Sequence, residues 1–138
     1  MDFESWIQTV NNCTDPATLS SLFDEFKLTV DKTQNIDYFD LRKLLEPFKH
    51  GLTKVVDDNQ SVVLEALASF IRYAEHDIEL YIKGTLAYVI SCFLDYKVAI
   101  KKAARYCLQM YLVKTRNIDD VVSEYVRIGL LSKNVGFG

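Results

Sequence analysis

The side chains best suited to a chemical role are four cations. They follow a polar break, that is, a short polar stretch between two apolar segments. They are Lys97, Lys101, Lys102 and Arg105. On a helix, Lys97 and Lys101 lie one turn apart and Arg105 continues their face. Cations near a helix N-terminus are disfavoured by the helix dipole by a few tenths of a kcal/mol. An acidic partner would compensate for this cost, so the cluster suggests a binding surface, while an ordinary solvated helix face is the alternative.

Two other polar breaks lie between predicted helices or after one. One contains Asp57, Asp58 and Asn59, and the other contains Lys133 and Asn134. Lys133 could join Lys97 and Lys101 in a basic strip if these breaks lie along one edge of the molecule.

Tyr96 lies beside Lys97 in the break that precedes the cations. An aromatic side chain at a loop tip next to a cation is typical of contact residues in protein interfaces. The ring could instead fold back against its own helices, and the sequence leaves both interpretations open.

Little in the sequence points to catalysis. His50 and His76 are the only histidines, and neither belongs to an HExxH motif or has a cysteine at ligand spacing. No GxSxG turn or glycine-rich phosphate loop is present. Helix caps and first-turn charges account for the paired acids. We therefore predict a protein that is not an enzyme, with no cofactor, no metal and no small-molecule substrate.

Composition then limits the class of fold. The chain has 138 residues, of which 49% are apolar, so it can form one domain with a core of its own. Its 5 glycines and 2 prolines are too few for the turns of an all-β protein. We predict an all-α fold.

Charge and cysteine content exclude several environments. The net charge of −3 argues against a general nucleic-acid binder. No apolar run reaches the ~18 residues of a membrane span, so we expect no membrane insertion. Three widely spaced cysteines without a CxxC pair indicate reduced thiols in a cytosolic or nuclear protein.

Hydrophobic periodicity and capping residues predict seven helices. Asp15 and Pro16 should begin the second helix, and a polar linker should span 31–35. Pro47 lies inside the third helix, which it should kink or restart after Glu46. The predicted helices cover about 2–12, 16–30, 37–56, 60–75, 77–93, 97–113 and 118–131.

The polar breaks recur with a period. They lie near Thr14, Asp58, Asp95 and Lys133, at intervals of about 44, 37 and 38 residues, which is the range of two-helix HEAT repeats. One helix pair cannot bury its apolar face alone, so pairs stack and their loops align along one edge. We predict a HEAT-like α-solenoid of about three and a half repeats, and we expect it to be part of a longer array. Its hairpins are 2–31, 37–75 and 77–113, with a half-repeat at 118–138.

Three stretches of the chain resemble the TOG domains of the microtubule-polymerase family. DDNQSVVLEAL, from Asp57 to Leu67, is similar to that family's Asp-x-Asn loop and the helix that follows it. CFLDYKVAIKKAARYCLQMY, from Cys92 to Tyr111, is similar to its Phe-x-x-x-Lys-x-x-x-Lys loop and helix. IGLLSKN, from Ile128 to Asn134, is similar to its Gly-Leu-x-x-Lys-Asn turn.

The resemblance implies a tubulin-binding module that regulates microtubule dynamics in the cytoplasm, at the cytoskeleton. It assigns Lys97 and Lys101 to third-repeat contacts with αβ-tubulin. It also assigns Lys133 and Asn134 to the fourth repeat, and Asp57 to Asn59 to the second-repeat loop.

Two features of the chain differ from the TOG pattern. TOG domains have a large apolar residue in their first loop, where this chain has Asn12, Cys13 and Thr14, and they have about six repeats. The alternative function is a generic HEAT-type scaffold that binds another acidic protein or a peptide through a groove or helix face.

Overall fold

The predicted all-helical class is confirmed by the computed structural model, which describes residues 2–34, 42–55, 58–74, 79–94, 97–115 and 118–132. Within these ranges the chain forms seven α-helices and no strand. The helices are α1 (Phe3–Asn11), α2 (Pro16–Thr33), α3 (Arg42–Lys54), α4 (Gln60–Tyr73), α5 (Glu79–Phe93), α6 (Val98–Lys114) and α7 (Ile118–Ser132).

The first two helices begin where their capping residues predict. The Asp2 carboxylate accepts a hydrogen bond from the backbone N–H of Glu4, at 3.1 Å. Asp15 accepts from the backbone N–H of Thr18, also at 3.1 Å, and Pro16 occupies the first turn of α2. Hydrogen bonds from the Thr18 hydroxyl and backbone hold the pKa of Asp15 below its ordinary value.

Helix α2 is longer than the sequence predicts, so the assignment of 31–33 to a linker was wrong. The helix continues to Thr33 and ends at Gln34, which has a left-handed φ of 57°. The backbone N–H of Gln34 donates to the carbonyl of Val30 at 2.7 Å. Glycine is the usual residue in this position, and its absence here removed the sequence signal for the end of the helix.

Helix α3 is continuous through Pro47, so the predicted restart after Glu46 does not occur. It ends at Lys54 rather than Val56, and α4 ends at Tyr73 rather than Glu75. Lys97 was placed in helix six but is the N-cap of α6, with an extended backbone at φ −78° and ψ 123°. The expected caps at Asp37 and Asp77 lie outside the described residues.

The even-numbered helices α2, α4 and α6 pack side by side in chain order. Three contacts show that α4 and α6 run in the same direction. Asp58 pairs with Lys97 where both helices begin, and the Cys107 thiol donates to the carbonyl of Leu64 at 2.7 Å. Where both helices end, Lys114 donates to the carbonyl of Ala74 at 2.7 Å.

The odd-numbered helices α1, α3, α5 and α7 form a second layer, again with each helix against the next. Lys43 pairs with Glu4 at 3.0 Å near the start of α3 and of α1. Near their other ends, His50 Nε2 lies 2.6 Å from the carbonyl oxygen of Cys13. Helices α1 and α3 therefore also run in the same direction.

The core between the layers is rich in aromatic rings. Trp6 is in edge contact with Phe23, with ring centroids 5.3 Å apart, and Phe26 lies between Trp6 and Phe48. Gly51 makes this packing possible, since a Cβ there would overlap the Phe23 ring and lie 2.6 Å from its Cζ. Burial of these large apolar side chains is the main stabilising contribution in this half of the molecule.

Among the described residues, none of the helices combines the length and the apolar character that a membrane span requires.

Candidate partner-binding edge

Four of the eight residues predicted to bind a partner lie within the described structure. Asp58 and Asn59 form the turn that leads into α4, Lys97 caps α6, and Lys101 lies in its first turn. The backbone N–H of Lys101 donates to the carbonyl of Lys97 at 3.0 Å, which closes that turn. The other four residues lie outside the described residues. They are Asp57, Tyr96, Lys133 and Asn134.

Two of the predicted loops meet at this edge. The Nζ of Lys97 lies 3.6 Å from Oδ1 of Asp58, and the two side chains are 36% and 86% exposed. The Asp58 carboxylate therefore supplies, from within the chain, part of the negative charge that was expected to come from a partner. Because both groups are accessible to water, the pair stabilises the fold by about 0–1 kcal/mol.

Three other cations near the start of α6 point into solvent. Lys101, Lys102 and Arg105 are all exposed, and none of them forms an ion pair with a residue in the described part of the chain. Helix α6 contains no Asp or Glu, although the whole chain has a net charge of −3. Its exposed face is thus a local concentration of positive charge on an acidic protein.

The first predicted loop, at 12–14, differs from the loops that contain Asp58 and Lys97. The carbonyl oxygen of Cys13 lies within hydrogen-bond distance of the His50 ring, and the Cys13 thiol lies 3.7 Å from the carbonyl of Asp15. Trp6, which lies before this loop within α1, is buried and donates from Nε1 to the carbonyl of Leu22 at 2.9 Å. Its indole is therefore a core residue and is not available to a partner.

No family model, curated protein or solved structure matches the chain. Its function is therefore inferred from its own geometry.

Two features of α6 were not predicted from the sequence. At the end of the helix away from this edge, Lys114 donates to the carbonyl of Ala74 at the end of α4. Tyr106 was not singled out, yet it is 37% exposed and lines a groove between α4 and α6. Helical spacing identifies the buried stripe of α6 but does not say which of its flanks faces a neighbouring helix.

The described residues contain no cluster of three or more His, Cys, Asp or Glu side chains that could hold a metal ion. Burial raises the pKa of the Cys107 thiol far above its ordinary value, so this thiol stays protonated and is a poor nucleophile. The exposed ammonium and guanidinium groups of Lys101, Lys102 and Arg105 can donate charge-assisted hydrogen bonds to carboxylates.

Proposed function

We propose that this protein is a non-catalytic, tubulin-binding module of the TOG type that acts on microtubule assembly. The observation that carries the proposal is the ion pair between Lys97 and Asp58. The pair joins the loop before α4 to the loop before α6. A row of loops along one edge requires contacts of this kind. The same proposal would place the protein in the cytoplasm, at the cytoskeleton.

A HEAT-like repeat is the architecture that we propose behind this edge. The hydrogen-bonded and charged pairs between α4 and α6 join residues about 40 positions apart, and those between α1 and α3 are similar. A repeat of this length lies in the HEAT range. Stacked pairs of helices in which each layer runs in one direction would produce these contacts.

The mechanism is electrostatic docking on a preformed surface. Helices α4 and α6 fix the positions of Asp58, Asn59 and Lys97, so little conformational entropy is lost when a partner binds. Lys101 then presents its charge beside Lys97 to an acidic surface of αβ-tubulin. Such association is accelerated by long-range attraction and weakened by salt.

Size-exclusion co-elution with αβ-tubulin at low and high salt tests this function. We expect co-elution at low salt, which the double variant Lys97→Glu with Lys101→Glu should abolish. The variant should keep its helical circular dichroism, because both side chains lie at the surface.

A matched control reverses two charges at the opposite edge of the same layer. Lys32 and Arg72 are exposed near the C-terminal ends of α2 and α4, so Lys32→Glu with Arg72→Glu should leave tubulin binding unchanged. Equal loss of binding in both double variants would show that net charge, rather than this edge, controls the interaction. Undiminished binding by the Lys97 and Lys101 variant would rule out the loop-edge mechanism.

A second candidate function is a helical scaffold that binds a different protein or a peptide. The groove between α4 and α6 favours it, since grooves and helix faces are the usual docking surfaces of such arrays. Because Asp58 already compensates part of the Lys97 charge, the edge also suits a partner of mixed charge. Partner binding that survives high salt and does not depend on Lys97 would favour the scaffold over the tubulin module.

A further inference from the structure

A groove runs between α4 and α6 on the surface of the even-numbered layer. Its volume is about 360 Å³, which lies in the range of roughly 300–1,000 Å³ found for sites that take small ligands or a few side chains. The wall from α4 carries Ser61 and Glu65, and the wall from α6 carries Lys102, Arg105 and Tyr106. Lys97 and Lys101 do not line it, so the groove is distinct from the loop edge.

The α6 wall has an excess of positive charge. Lys102 and Arg105 are exposed and form no ion pair with any residue that the structure describes. Glu65, on the opposite wall, lies close enough to Lys27 of α2 to raise the pKa of that lysine, after the larger effect of Asp31. The groove lining therefore carries two basic side chains against one acidic side chain, and that acid also lies near a cation of α2.

Tyr106 supplies the apolar part of the groove. It is 37% exposed and lines the groove together with Ala99 and Ala103. An accessible tyrosine on a surface that also carries cations is a typical anchor at a protein interface, because its ring can bury apolar surface against a partner.

From this arrangement we infer that the groove binds an acidic linear segment of a partner protein. Carboxylates of the segment pair with Lys102 and Arg105, and one apolar side chain packs on Tyr106. Charge complementarity selects this occupant over a neutral or basic peptide. The inference does not depend on the identity of the partner at the loop edge, so the groove and the edge can be tested separately.

Fluorescence polarisation with labelled peptides tests the inference. The probe is a glutamate-rich peptide with one central phenylalanine, and the comparison peptides replace the glutamates by glutamine or the phenylalanine by glycine. We expect the acidic probe to bind at low salt and both comparison peptides to bind at least about fivefold more weakly.

Variants of the groove locate the site. Lys102→Glu with Arg105→Glu should weaken binding of the acidic probe by about tenfold or more, and Tyr106→Ala by more than about fivefold. The matched control is Lys32→Glu with Arg72→Glu, which changes the net charge by the same amount away from the groove and should keep binding within about twofold. Circular dichroism of every variant separates loss of the site from loss of the fold.

Three results would overturn the inference. The first is failure of the acidic probe to bind the folded wild-type chain. The second is equal loss of binding in the groove variants and in the opposite-edge control. The third is self-association of the chain, measured by light scattering, that the groove variants abolish, since the occupant would then be a second copy. If the chain bound the acidic peptide but did not co-elute with tubulin, the proposed function at the loop edge would be wrong and the inference about the groove would stand.

Discussion

The Lys97 ammonium lies 3.6 Å from the Asp58 carboxylate, and this pair joins the turn before α4 to the start of α6. The two residues are far apart in the chain and come from different polar breaks. Their proximity follows from the common direction of α4 and α6, which also brings Lys114 to Ala74 at the other end. The edge is therefore held by the packing of the helices, and the ion pair is a consequence of that packing.

Asp58→Asn should change stability very little. Both partners are accessible to water, so we expect the free energy of unfolding to fall by no more than about 1 kcal/mol. Urea denaturation of Asp58→Asn, Lys97→Met and the double variant measures the coupling between the two side chains. A coupling of several kcal/mol would contradict this view and would make Lys97 a structural residue.

Lys114→Met should destabilise the protein more than a change at the exposed Lys102. The Lys114 ammonium is partly buried and donates to the Ala74 carbonyl, which has no helical partner at the end of α4. Loss of a charged donor here should lower the free energy of unfolding by about 1.5–3 kcal/mol. The same substitution at Lys102, compared by urea denaturation, should lower it by less than about 0.5 kcal/mol.

Gly51→Ala and Gly84→Ala should have opposite effects although both residues are helical. A Cβ at Gly51 would overlap the fully buried Phe23 ring, so we expect a loss of about 1–3 kcal/mol from overpacking. At the exposed Gly84, the Cβ would meet only the mobile end of Lys49, so the better helix propensity of alanine should add up to about 1 kcal/mol. Thermal unfolding of both variants tests this difference, and stabilisation by Gly51→Ala would show that α2 and α3 pack more loosely than they do here.

Stability should fall with rising pH above about pH 9, the region where an unfolded cysteine ionises. Burial raises the pKa of the Cys107 thiol in the folded state, so the unfolded chain loses this proton first. The folded state therefore keeps its full stability at lower pH and loses up to about 1.4 kcal/mol for each further pH unit from this one group.

Cys107→Ser is the control for this pH dependence. Serine can still donate to the Leu64 carbonyl but does not ionise in this range, so its stability should decline less steeply above pH 9 than that of the wild type. Titration of thiols with a coloured disulfide reagent gives a second measurement. Cys13 is partly exposed and should react in the native protein, whereas buried Cys92 and Cys107 should react only on unfolding. If stability declined equally steeply above about pH 9 in the wild type and in Cys107→Ser, the linkage to Cys107 would be disproved.

The sequence by itself determined the helices and most of their ends. Apolar spacing and capping chemistry are local, so Asp15 with Pro16 was enough to predict where α2 begins, and the predicted start of α4 at Gln60 is also correct. Errors occurred where a local signal was weak or ambiguous. The polar residues 31–33 suggested a linker, but α2 continues through them to Thr33. Pro47 suggested a kink or a restart, but α3 is continuous through it.

Only the tertiary structure decided which charged groups meet. The sequence identified Asp58 and Lys97 as members of separate loops, but their contact depends on the direction and offset of α4 against α6. The same packing placed Tyr106 beside a groove and Trp6 in the core. Helix periodicity fixes which face of a helix is apolar, whereas the position of its neighbour is a long-range property that depends on how side chains from both helices fill the space between them.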